Sequence, residues 1–180
     1  HRDLHLSIRR QRQMCIRDSN DTLTYADVLY RRGGGFERLG NYEKSDKDLL
    51  KSLEIDPDDA YVLNYLAYSW LERKYKIDKA MQMLEKAYQQ EPEDPYIIDS
   101  IGWAHYLTGN YIKAEQLLKK AIQIMPYYPI VNDHYGDILW KLDRKIEAVY
   151  YWNSVLNLKD AEDEIKDKAY LKVLKGLKKT

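Results

Sequence analysis

One spacing, that between Gly102 and Gly136, recurs along the chain and constrains it more than any other feature. At the same interval Ala80 returns as Ala114 and Ala148, Ala87 as Ala121, Pro92 as Pro126, and Pro95 as Pro129. A period of this length marks a stacked array of like units, each too small to bury its own apolar face. The clearest unit is Pro95–Tyr128, PYIIDSIGWAHYLTGNYIKAEQLLKKAIQIMPYY. It reads as two helices around Thr108-Gly109-Asn110. Gly109 can take the left-handed conformation that closes a helix, and Asn110 suits the cap of the next. Gly102 and Ala114 let the two helices approach closely, where a larger side chain would hold them apart. Pro126 ends the second helix, because proline lacks the N–H and clashes inside a helix.

The set Gly102, Gly109, Tyr111, Ala114, Leu118, Ala121 and Pro126 resembles the tetratricopeptide repeat (TPR). The resemblance implies an all-α fold: a TPR α-solenoid of helix-turn-helix repeats, wound as a right-handed superhelix and closed by a C-terminal capping helix. Gly33, Gly40, Tyr42, Ser45, Leu49, Ser52 and Pro57 repeat the pattern in residues 20–57. The second repeat is residues 58–94, the third 95–128, the fourth 129–161, and the capping helix 162–180. The second carries one extra residue, expected in the turn around Lys74–Lys76, where glycine is missing. Gly33-Gly34-Gly35 fall inside the first expected helix, and each glycine there costs about 1 kcal/mol relative to alanine, so this helix is expected to be the weakest. In the last segment Ile165, Ala169, Leu171, Val173, Leu174 and Leu177 suit one helix face. Acids lead and lysines trail, complementing the helix dipole, and the lysines read as solvated.

Residues 1–19 are read as non-native and disordered. Arg9–Ser19, RRQRQMCIRDS, resembles the translation of an adapter used in sequencing libraries. Residues 1–18 hold five basic and two acidic side chains of the chain's 29 of each, so the rest carries 24 against 27. Its only cysteine, Cys15, lies in the same segment. No apolar run is long enough to mark a membrane span.

No nucleophile–base constellation is visible, and the chain is read as non-enzymatic, with no cofactor. His134 with Asp133 and Asp137 can be drawn as metal ligands, but neighbouring helical positions do not share one face, and no metal is assigned. In TPR arrays the first helix of each repeat lines a concave groove. Carried over, the resemblance assigns a peptide-binding groove to Asn64, Tyr65, Tyr68, Asp99, Trp103, Tyr106, Asp133, Asp137 and Trp140. This face is aromatic and acidic, the composition of a binding hot spot rather than of a phosphate site. The basic clamp with which chaperone-binding TPR domains hold a terminal carboxylate is absent: Tyr30, Asn64, Asp99 and Asp133 stand in its place.

The expected function is a protein–protein interaction scaffold holding a peptide or protein segment. A helical-repeat RNA-binding protein and an accessory subunit of an enzyme complex are the alternatives; the acidic groove argues against nucleic acid. LNYLAYSW (63–70), IIDSIGWAHY (97–106) and VNDHYGDILW (131–140) also resemble a bacterial TPR group. Some of its members are exported lipoproteins that tether a periplasmic protease to the outer membrane. That resemblance implies an adaptor role and the cell envelope; without it the cytoplasm is expected. A true N-terminus lying upstream is also expected. Sequence leaves the partner's identity and the oligomeric state open.

Overall fold

The computed structural model describes residues 25–177; the reading of residues 1–19 as foreign lies outside them. The described residues are helical throughout apart from their turns, and divide into two compact units at Pro92/Glu93. The first unit contains α1 (Tyr25–Arg38), α2 (Tyr42–Ile55), α3 (Ala60–Glu72) and α4 (Ile77–Gln90). The second contains α5 (Pro95–Leu107), α6 (Tyr111–Ile124), α7 (Pro129–Lys141), α8 (Lys145–Asn157) and α9 (Asp163–Lys175). Successive helices pair as hairpins, α1 with α2 through α7 with α8, and α9 packs on α8 and α7.

Three of the four hairpins close on a glycine. A Cβ on Gly33 would lie 2.9 Å from Leu49 Cγ, one on Gly136 would lie 2.5 Å from Trp152 Nε1, and one on Gly102 would overlap Leu118. Leu49, Leu118 and Trp152 are all fully buried. The first helices α3, α5 and α7 bury most of their residues, and α3 reads AYVLNYLAYSWLE, largely apolar. The second helices bury one stripe, such as Ala114, Leu117, Leu118 and Ala121 in α6, and keep a charged outer face.

The turns share one closure. Asn41 N–H donates to Phe36 O, Tyr75 to Trp70 O, Asn110 to His105 O and Arg144 to Leu139 O, at 2.8–2.9 Å. This six-to-one bond needs a left-handed residue just past the helix. Gly40 (φ 73°) and Gly109 (φ 83°) supply it in two turns, Lys74 (φ 54°) and Asp143 (φ 61°) in the others. The extra residue of the second repeat falls in that turn, where Lys76 is left-handed as well (φ 46°). Tyr75 sets its edge on Trp70, centroids 5.7 Å apart, and Lys76 Nζ sits 4.8 Å from the Trp70 ring. Asn110 stands at the cap of α6 but makes no side-chain cap bond. Asp59 and Asp94 do cap, each accepting from two backbone N–H groups of α3 and α5.

The three consecutive glycines do not break α1. They differ in surroundings: Gly33 meets Leu49, Gly34 meets the Tyr65 hydroxyl, and a Cβ on Gly35 would meet nothing within 4 Å. The C-terminal segment departs from expectation. Ala169 alone is fully buried in α9, whereas Leu171 and Leu174 are more than half exposed. Helix α9 starts one repeat period after α7, and Tyr170 stands where Gly102 and Gly136 accept a second helix.

Gly35→Ala should raise stability by about 1 kcal/mol, because only the helix propensity changes. Gly102→Leu should cost about 1–3 kcal/mol through overpacking, and Trp152→Ala about 3–5 kcal/mol. Denaturant melts of the three variants check these signs. Lys74→Gly should stabilise by up to about 1 kcal/mol, since a left-handed lysine is strained and glycine is not; a thermal melt that falls instead would show that Lys74 makes compensating contacts.

Candidate functional site

The second unit brings one aromatic and acidic cluster together on the first helices of its hairpins. On α5, Asp99, Trp103 and Tyr106 follow at intervals of four and three positions and so share a face. Trp103 stacks on Tyr106, centroids 4.6 Å apart at 12°, and on His134 of α7, 4.0 Å apart at 9°. The three rings form a continuous column. His134 Nδ1 lies 2.9 Å from Asp99 Oδ1, and both residues are buried. That contact fixes the imidazole plane against the indole. Trp103 and Tyr106 are half-buried. The Tyr106 hydroxyl is pushed above its ordinary range by burial first, then by the Asp137 carboxylate, so it stays a neutral hydrogen-bonding group.

Asp133 and Asp137 lie one turn apart on α7 and converge on Lys172 of α9. Lys172 Nζ donates to both Asp133 oxygens at 2.8 and 2.7 Å and lies 2.7 Å from Asp137 Oδ1. Trp152 Nε1 donates to Asp137 Oδ1 at 3.0 Å. Burial pushes the Asp137 carboxyl up to about 6; Lys172 pulls it down, and Asp133 raises it again. Burial works against the Lys172 ammonium, but the two carboxylates outweigh it and hold it above its ordinary value. Trp140, one turn beyond Asp137, stacks obliquely with Trp152, centroids 5.3 Å apart, and its ring lies against Gly176.

The first unit holds the remaining expected residues. Tyr65 sets its edge on Tyr30 at 5.6 Å, and its hydroxyl reaches toward Glu37 and the Gly34 carbonyl. Asn64, Tyr65 and Tyr68 are buried. The Asn64 amide makes no hydrogen bond among the described residues, which places it in the packing rather than at an open surface.

Two residues outside the expected groove set belong to the cluster. His134 was legible as a neighbour of Asp133, but its partner Asp99 lies 35 residues earlier, across the repeat. Lys172 read as one solvated lysine among several. The signal for it was the repeat period itself, which carries α7 onto α9. Among the described residues no three carboxylate, imidazole or thiol groups gather as metal ligands, and no helix is long and apolar enough to cross a membrane.

The Asp137 shift has a sign that can be measured. Its folded value, about 6, lies above the unfolded value near 4. The folded state therefore binds the proton more tightly. The associated stability is complete below about pH 4 and is lost as pH rises through about 6. The stability of the wild type relative to Asp137→Asn should fall across that window by on the order of 2–3 kcal/mol. Parallel pH–stability curves for the two proteins would refute the assignment.

Two tetratricopeptide repeat family models match this chain, at residues 26–59 and 96–125. The chain is 32% identical over 111 residues to TPR repeat-containing protein PA4667 of Pseudomonas aeruginosa, covering 62% of this chain and 19% of that protein. It is 24% identical over 112 residues to human protein O-mannosyl-transferase TMTC1, covering 61% of this chain and 12% of that protein. The chain thus spans less than a fifth of the length of these curated relatives. A solved structure described as a functional characterization of Pseudomonas aeruginosa pilF shares the fold with a TM-score of 0.64 at 21% identity, over 83% of this chain and 76% of that one. Hairpin geometry, closing glycines and family matches agree: the chain carries tetratricopeptide repeats and has the all-α fold of a TPR protein.

Proposed function

We propose that this chain is a non-enzymatic scaffold that binds a protein segment on the first-helix face of its second unit. The single observation that carries the reading is the column of Tyr106, Trp103 and His134, rigidly stacked beside acidic side chains, with the tyrosine and the indole half-buried. Rigid aromatics offer contact area at low ordering cost, and they concentrate at binding hot spots. Asp133 and Asp137 share one cation, Lys172, so the neighbourhood stays net negative and disfavours an acidic segment. TPR repeats are widely used as protein-binding modules, which accords with this reading.

The finer role we propose is an adaptor in a bacterial cell envelope, holding a periplasmic protease. It rests on the likeness of segments 63–70, 97–106 and 131–140 to a bacterial TPR group, together with the match to PA4667.

Partner capture from the native source should be lost in a Trp103→Ala/Tyr106→Ala variant that retains its helical spectrum. Lys119→Ala, on the exposed face of α6, should bind as the parent does. Full capture by the double variant would move the working surface elsewhere.

A further inference from the structure

Helix α9 is held in an unusual way for a terminal element. Ala169 is its one fully buried apolar residue, preceded by Ala161 in the connection from α8, while Ile165, Val173 and Leu177 are half-buried. Tyr170, Leu171 and Leu174 are 53%, 52% and 58% exposed. The specific contacts that seat it are ionic and aromatic: Lys172 between Asp133 and Asp137, the Lys172 ammonium 6.0 Å from the Trp152 ring, and Gly176 against Trp140. Gly176 is left-handed (φ 66°), and a Cβ there would run into the indole. Elements with few buried apolar contacts open at low free energy while the rest of the fold stays closed.

The face that α9 covers is the continuation of the aromatic–acidic cluster. Asp133, Asp137 and Trp140 stand on α7 where Asp99, Trp103 and Tyr106 stand on α5, displaced by one repeat period. We propose that α9 is a displaceable internal occupant of this face, and that Asp133, Asp137 and Trp140 form a lysine-reading site for a helical, lysine-bearing segment of a partner protein. The proposal rests on the reading of this face as a protein-binding surface. The chemistry of the partner follows from the occupant that the structure shows. A lysine enters between two carboxylates one turn apart, and a residue without a side chain follows one turn later, against the indole. Opening of α9 uncovers two carboxylates and the outer side of an indole that also contacts Trp152. A partner then offsets the cost of opening with its own lysine contacts, and the intrinsic affinity is reduced by the fraction of chains that are open.

The probe is a labelled peptide with the sequence of residues 162–177, added in trans to the whole chain. Its affinity should be about tenfold or more higher for a Lys172→Glu chain, in which the internal occupant is repelled, than for the wild type. Adding Asp133→Asn and Asp137→Asn to that chain should abolish the gain, and a peptide carrying Lys172→Glu should not bind. Hydrogen exchange on the wild type provides a measurement that does not depend on the variant folding: amides of α9 should exchange by local opening, faster than those of α5 to α8. Exchange of α9 only with global unfolding overturns the proposal, as does a folded Lys172→Glu chain with no gain in peptide affinity. Either result leaves the proposed function standing if Trp103→Ala/Tyr106→Ala still loses the native partner. Full partner capture by that double variant would overturn the proposed function instead.

Discussion

The close approach of two helices at a glycine is the constraint on which three of the four hairpins depend. Gly33 receives Leu49, Gly102 receives Leu118, and Gly136 receives Trp152. Trp152, the largest of the three partners, lies with its indole in the space a side chain on Gly136 would fill. Interiors are close-packed, so the volume of one partner fixes that of the other. With that contact set, the rotation of the first helix about its axis is set too. Tyr106 and Trp140, one turn beyond Gly102 and Gly136, are then placed beside that contact and stay half-buried.

The aromatic–acidic cluster is a consequence of that rotation. Trp103 and Tyr106 are half-buried on α5, and on α7 Asp137 and Trp140 both touch Trp152, the side chain that closes on Gly136. Stacking of Trp103 on His134, and the Asp99 contact behind it, link α5 to α7 by groups with defined directions rather than by apolar area alone. Burial then makes the carboxylates sensitive to their partners. Asp137 sits under α9 with its carboxyl pushed up to about 6, and Lys172 offsets part of that cost. The same desolvation that disfavours the isolated charge makes the ion pair specific: a buried carboxylate pair accepts a cation well and tolerates little else.

The turns show how far a local rule reaches. Every hairpin turn uses the same six-to-one bond, yet glycine supplies the left-handed residue in only two of the four. Lys74 and Asp143 take it elsewhere, because tertiary closure of the hairpin outweighs a strain of about 1–2 kcal/mol. Asn110 illustrates the reverse: a favourable cap residue at the right place makes no side-chain bond, whereas Asn41, after the same turn closure, accepts from Lys44 N–H. Similarly, the three glycines of α1 remain helical because Gly33 has a packing role against Leu49 that outweighs propensity.

Sequence by itself determined the period, the helical hairpins and the small residues at which they close, because these follow from contacts between residues near in the chain. It also placed the aromatic and acidic residues on the first helices. It did not determine which of them meet a partner within the protein. Asn64, Tyr65 and Tyr68 are buried, Asp99 is taken by His134, and Asp133 and Asp137 are both taken by Lys172 of α9. Only the tertiary structure decided these pairings. A lysine in a charged helix looks the same in sequence whether it faces water or two carboxylates, and the choice rests on where α9 lies against α7.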